Sequence, residues 1–163
     1  MRQLMIVAIS IAALVVPALA QQETPTVEVF GGYQFSHFTP SINASGWNTA
    51  VTGNINRWFG VTGDVSGSYK NGGHMYTYMV GPTLSARTER VTPFVHALFG
   101  GASAGGGGDS ANAFAMAFGG SLDINAGNHL AWRMVQADWL LFRSGGEMDK
   151  KNVRVSTGLV LRF

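Results

Sequence analysis

Apolar residues recur at every second position along most of this chain, in runs separated by clusters of Gly, Asn, Asp and Ser. A period of two marks a strand with one apolar and one polar face. In "TVEVFGGYQFSHF", Val27, Val29, Gly31, Tyr33 and Phe35 alternate with Glu28, Phe30, Gly32, Gln34 and Ser36. In "WNTAVTGNIN", Trp47, Val51 and Ile55 separate from Asn48, Thr52, Asn54 and Asn56. The clearest run, "FGVTGDVSGSY", sets Phe59, Val61, Val65 and Tyr69 against Thr62, Asp64, Ser66 and Ser68. A fourth opposes Tyr76, Tyr78, Val80, Pro82 and Leu84 to Thr77, Gly81 and Thr83.

The fifth run, "VTPFVHALFG", is apolar on both faces, and His96 sets its phase by leaving Val91, Val95, Ala97 and Phe99 outward. The sixth divides Phe114, Met116, Phe118, Leu122 and Ile124 from small and polar residues ending at Asp123. The seventh, "HLAWRMVQADWLL", breaks step, because Arg133 falls opposite Gln136 and Asp138; a β-bulge at Met134 and Val135 brings all three to one side. The eighth, "VRVSTGLVLRF", opposes Val153, Val155, Thr157, Leu159, Leu161 and Phe163 to Arg154, Ser156, Gly158 and Arg162. Each run is close to the roughly 9–11 residues that a tilted strand needs to cross a bilayer.

The connectors predict two unlike ends. Those around Arg57, Ala86 to Arg90 and Asn125 to Asn128 are compact, and "KNGG" is short, whereas "GASAGGGGDSAN" and "FRSGGEMDKK" read as long polar loops, with "TPSINASG" intermediate. Short turns at one end and long loops at the other fit a membrane barrel.

Composition identifies the solvent of the apolar face. Charged residues are 12% of the chain and hydrophobic ones 46%, against about 25% charged in a typical soluble domain. Such an exterior is poorly hydrated. The first twenty residues, with Arg2, an apolar run from Leu4 to Val16 and the ending Ala18-Leu19-Ala20, read as a signal peptide cleaved before Gln21, which leaves residues 21–163 as one barrel domain. Beyond residue 20 there is no apolar stretch long enough for a spanning helix. Crossing therefore falls to strands.

Strands in hydrocarbon must close, since each unpaired backbone N–H or C=O costs several kcal/mol there. The polar face then lines the interior, and Glu28, Asp64, Asp123, Arg133, Asp138 and Arg154 are the expected lumen network, pairing carboxylates with arginines. Arg154 fixes the phase of the last strand: a one-residue slip turns it to lipid at roughly 2–4 kcal/mol near the midplane. Trp47, Trp58, Phe59, Tyr69, Tyr76, Trp132, Trp139 and Phe163 are candidates for interfacial girdles.

Site chemistry is sparse. The net charge of +2 offers no basic patch for nucleic acid, and the absence of cysteine excludes disulfides, thioether-linked lipid and thiolate metal sites. His37, His74, His96 and His129 lack metal-ligand spacing, so neither metal nor cofactor is expected. The glycine-rich "GGASAGGGGDS" has no following Lys-Ser/Thr, and no GxSxG occurs. His129 with Ser121 or Asp123 is the one catalytic-type cluster, at the end opposite the long loops.

The first strand "VEVFGGYQFSHF", the hairpin "GGSLDINAGNHLAWRMVQADW" and the terminal Leu159, Leu161 and Phe163 resemble the outer-membrane β-barrel domain family, relatives of the transmembrane domain of outer-membrane protein A. The resemblance spans Thr26 to Phe163. It implies an all-β, eight-stranded antiparallel up-and-down transmembrane β-barrel in the outer membrane, reached through the periplasm. It also implies recognition of the terminal strand by the barrel-assembly machinery, outer-membrane lipid as the surrounding partner, and a non-enzymatic structural or surface-interaction role with a filled, polar lumen. No following peptidoglycan-binding domain is expected. An outer-leaflet lipid-modifying enzyme, a narrow pore and a soluble periplasmic β-barrel stand as alternatives. The sequence names no ligand for the outer loops.

Overall fold

The computed structural model describes residues 24–38, 42–106 and 109–163; the expected signal peptide lies outside them. Eight strands follow in order: β1 (Val27–Phe38), β2 (Ile42–Asn54), β3 (Phe59–Lys70), β4 (Gly73–Ser85), β5 (Val91–Gly106), β6 (Asp109–Asn125), β7 (Leu130–Ser144) and β8 (Glu147–Arg162). Each pairs antiparallel with the next, and β8 pairs with β1 to close the barrel. β1 begins and β8 ends at one end of the barrel, the termini end, and the four hairpins join the strands at the other.

The faces divide as alternation requires. Val51, Val65, Val80, Val95 and Leu159 point outward, with Val80 57% and Leu159 56% exposed, while Gln34, Asp64, Thr83, His96 and Arg154 are buried inside. Apolar side chains exposed around the whole circumference need a solvent other than water. Toward the hairpin end Trp47, Tyr69 and Tyr76 form an outward cluster: the indole Nε1–H of Trp47 donates to the Tyr69 hydroxyl at 3.2 Å, and the two tyrosine hydroxyls lie 3.2 Å apart. Trp58, Trp132 and Phe163 are exposed toward the termini end.

The long polar loops expected after the fifth and seventh strands are replaced by strand. Gly101 to Gly106 pair with Phe114 to Asp109, and Phe142, Arg143 and Ser144 pair with Asp149, Met148 and Glu147. Most of "TPSINASG" likewise belongs to β2, since Ile42 to Gly46 pair with Phe38 to Gln34. Beyond the lipid nothing enforces apolar alternation, so the sequence pattern fades while the backbone goes on pairing. Two of the hairpins turn on two residues in left-handed conformation, Asn71-Gly72 (φ 47° and 82°) and Gly145-Gly146 (φ 60° and 94°), the twist that matches flanking strands. The connections at the termini end, 55–58, 86–90 and 126–129, are no shorter than the hairpins opposite.

In β7, Arg133 pairs with Gly158 of β8 and Gln136 with Ser156, so Met134 and Val135 together oppose Thr157. This bulge leaves Met134 and Val135 exposed while Arg133 and Gln136 are buried. A second irregularity, between Leu140 and Phe142, sets Leu141 against Lys150 and Lys151.

Closure is tightest where Gly32 of β1 meets Gly158 of β8. A Cβ on Gly158 would lie 2.3 Å from the Gly31 carbonyl oxygen, and one on Gly32 would lie 2.1 Å from that of Thr157. Phe30 lays its ring over the space Gly32 leaves empty, 2.8 Å from where that Cβ would stand. The ring is completed by Val27 and Phe163, each donating its amide N–H to the other's carbonyl at 3.1 and 2.8 Å. Gly158→Val should therefore block the seam. On unboiled gels after refolding into detergent micelles, the variant is expected to lose the compact, heat-modifiable band; a wild-type yield of that band would refute the close approach.

Candidate functional site: the barrel lumen

An eight-stranded barrel has a bore narrow enough for side chains to fill much of it. Charges placed there must find one another. Glu28, Asp64, Asp123 and Asp138 are buried, as are Arg87, Arg133, Arg154 and Arg162, so the buried carboxylates and guanidiniums among the described residues match in number, with His96 beside them.

Arg154 of β8 is the central cation. Its Nη1 donates to Asp64 Oδ1 of β3 at 2.8 Å, across the lumen, and its Nε donates to Asp138 Oδ2 of β7 at 2.8 Å. Asp138 also accepts from the Gln136 amide at 2.8 Å, and its Oδ1 lies 2.8 Å from His96 Nε2 of β5. That last contact spans β6, where Asp138 is paired with Gly119 and Gly119 with His96. A Cβ at Gly119 would sit 2.1 Å from Asp138 Oδ1, so only glycine leaves the carboxylate free to cross. On the far wall Asn48 donates to Asp64 Oδ2 at 2.8 Å.

A second group lies nearer the termini. Arg133 donates from Nε and Nη2 to the two oxygens of Asp123 at 2.8 and 3.1 Å, a bidentate fork. Its guanidinium also rests over the rings of Phe30 and Phe94, 4.3 and 4.5 Å from their centroids. Glu28 accepts from Arg162 Nε at 2.8 Å, from the Asn54 amide at 2.9 Å, and from Arg87. The two groups join through Gln136, whose Oε1 accepts from Arg133 at 2.9 Å while its amide donates to Asp138. With Arg162 Nη2 3.7 Å from Asp123 Oδ2, a chain of polar and ionic contacts runs from Glu28 to Asp64.

Glu28, Asp64, Asp123, Arg133, Asp138 and Arg154 all enter this chain. Reading from residues alone left out Arg87, Arg162 and His96 as members. For Arg87 a signal was present: it continues the inward parity of Thr77, Met79, Thr83 and Ser85 past the end of β4, into what reads as a turn. Arg162 shares the parity of Arg154, but nothing along the strand marks it as the partner of Glu28.

The expectation of a polar lumen holds for only part of its length. Toward the hairpins Met79, Leu98, Ala102, Ala115, Ala117 and Leu140 form a buried apolar cluster, with Phe38 and Phe142 packed against it. A dry interior accepts apolar side chains as any core does, which is why the fifth run looked apolar on both faces.

The catalytic-type cluster is not assembled. His129 Nδ1 lies 3.0 Å from the Arg162 carbonyl oxygen, Ser121 donates to Asp123 at 3.3 Å, and Asp123 is engaged by Arg133. Among the described residues no group of His, Asp and Glu converges to hold a metal ion.

Removing the central cation leaves Asp64 and Asp138 facing each other without it. Arg154→Met is expected to cost about 3–5 kcal/mol, read as a lower urea midpoint for the folded band in micelles. Asp64→Asn added to it should recover part of that loss, and a midpoint unchanged by Arg154→Met would remove Arg154 from its central role.

No family model and no curated protein matches the chain. Solved structures do. Neisserial surface protein A superposes with a TM-score of 0.64 at 12% identity, covering 84% of this chain and 96% of that one. The N-terminal β-barrel domain of Pseudomonas aeruginosa OprF gives 0.61 at 8% identity, covering 86% and 100%. Ail, the attachment invasion locus protein of Yersinia pestis, gives 0.56 at 17% identity, covering 86% and 100%. The chain therefore has the fold of the eight-stranded transmembrane barrels of bacterial outer membranes.

Proposed function

We propose that this chain is an outer-membrane barrel, exported through the periplasm, with a non-enzymatic structural or surface-contact role. The observation that carries this reading is the Glu28-to-Asp64 chain: a charge-matched plug in the lumen, inside a wall whose outer face is apolar all round. A plug of paired charges serves stability and blocks passage. The termini end, with Glu28, Arg87 and Arg162, is assigned to the periplasm, and the four hairpins to the outside.

The exposed Leu159 and Leu161 and the terminal Phe163, on the strand that seals the barrel, form the segment offered to the assembly machinery. Comparison supports a surface role by analogy: Ail has been solved with the heparin analogue sucrose octasulfate, and neisserial surface protein A lies at a cell surface by its name. On this chain the surfaces placed to meet a partner are the β5–β6 and β7–β8 hairpins, the latter carrying Arg143, Glu147, Asp149, Lys150 and Lys151.

Three measurements test the reading together. The protein is expected in the outer-membrane fraction, planar bilayers containing it are expected to show no stepwise conductance, and lipid A from cells with and without the gene should have the same mass spectrum. Stepwise channels would favour the pore, and a changed acyl pattern the lipid-modifying enzyme.

A further inference from the structure

Above the polar plug the lumen opens toward the hairpins into a cavity of about 730 Å³. Phe38, Ile42, Ala44, Ala104, Ala111 and Phe142 contribute to its lining. The rings of Phe38 and Phe142, from opposite sides of the β1–β8 seam, stand 6.2 Å apart between centroids and pack on the buried cluster around Leu98 and Leu140 beneath. The volume lies in the range of roughly 300–1,000 Å³ typical of small-molecule sites, and barrel mouths are a favoured place for them.

The choice of side chains is what calls for an occupant. Ser68, Asn71, His74 and Asn152 also border the cavity, but most of the wall it presents is apolar, unlike the inward Ser66 and Thr77 deeper in the barrel. Alanines leave room and phenyl rings supply apolar walls, so the space suits a slender apolar chain.

The rim indicates the other end of such a molecule. Lys70, the last residue of β3, borders the cavity and is exposed; among the described residues it makes no ion pair, and it is the single Lys or Arg in the cavity lining. The carboxylate at the mouth, Asp149, already accepts the Lys151 amide at 3.2 Å. We propose that the hairpin-end cavity binds a single-chain amphiphile with an anionic headgroup, of the fatty-acid class, its chain lying against the Phe38 and Phe142 rings and its head at Lys70. This goes beyond the surface role above and stands independently of it.

The experiment uses the full mature barrel in phosphatidylcholine nanodiscs with alanine methyl groups labelled for NMR, titrated with dodecanoate and separately with dodecanol. Saturable shifts are expected at Ala44, Ala104 and Ala111, with none at Ala137, which is exposed on the outer face. Affinity should rise by about fourfold per methylene from octanoate to dodecanoate. Lys70→Gln should weaken dodecanoate by about fivefold and leave dodecanol unchanged. Ala111→Trp should abolish the Ala44 shift while the heat-modifiable band persists, and Ala104→Phe serves the same purpose if the first variant does not fold. Shifts at Ala137 alone, shifts that never saturate, or binding retained in the filled variants would overturn the site; equal loss of dodecanoate and dodecanol in Lys70→Gln would overturn the assignment of the headgroup.

Discussion

Every strand in this molecule answers to the same demand: a backbone N–H or C=O facing hydrocarbon must have a partner, and only a ring of strands supplies one to each. The β1–β8 seam carries that demand most directly. It joins the two ends of the chain, with Glu28 paired to Arg162 and His37 to Val153, and it depends on two glycines facing each other without side chains. The other ladders link strands adjacent in sequence and need only a turn; this one must wait for the whole sheet to curl.

Once the ring is closed, its narrow bore dictates the electrostatics. Where side chains fill the bore, an inward charge is costly unless met by its opposite. Arg154 spans the lumen from β8 to Asp64 on β3, while Asp138 reaches over Gly119 to His96. These contacts tie together strands that share no backbone ladder. The plug thereby braces the cross-section that the ladders hold only around the circumference.

The bore is not uniform. Charged groups gather toward the termini, around a small cluster of Phe30, Ala50, Ala131 and Val160, while toward the hairpins the buried interior is mainly apolar. The same inward face thus does two jobs along one strand: on β7 it carries Arg133, brought inward by the bulge, with Gln136 and Asp138, and farther on Leu140 and Phe142. A filled base and an open apolar mouth give the barrel a floor and a cup, in which Phe38 and Phe142 form the boundary.

The alternation of Val61 with Thr62 and Asp64, or of Leu159 and Leu161 with Arg162, was enough to assign strands, faces and the need for closure, because lipid outside and a narrow interior act on each residue separately and so leave a trace at each position. The reach of the hairpins was hidden, since polar strand beyond the lipid, as in Arg143–Ser144 and Glu147–Met148, has no one-sided solvent to impress a period on it. Who pairs with whom inside was hidden as well. That Arg87 meets Glu28, that His96 meets Asp138 past Gly119, and that alanines from β2, β5 and β6 leave a shared space depend on tilt, stagger and curvature around the ring. Those are properties of the closed sheet, and no single strand contains them.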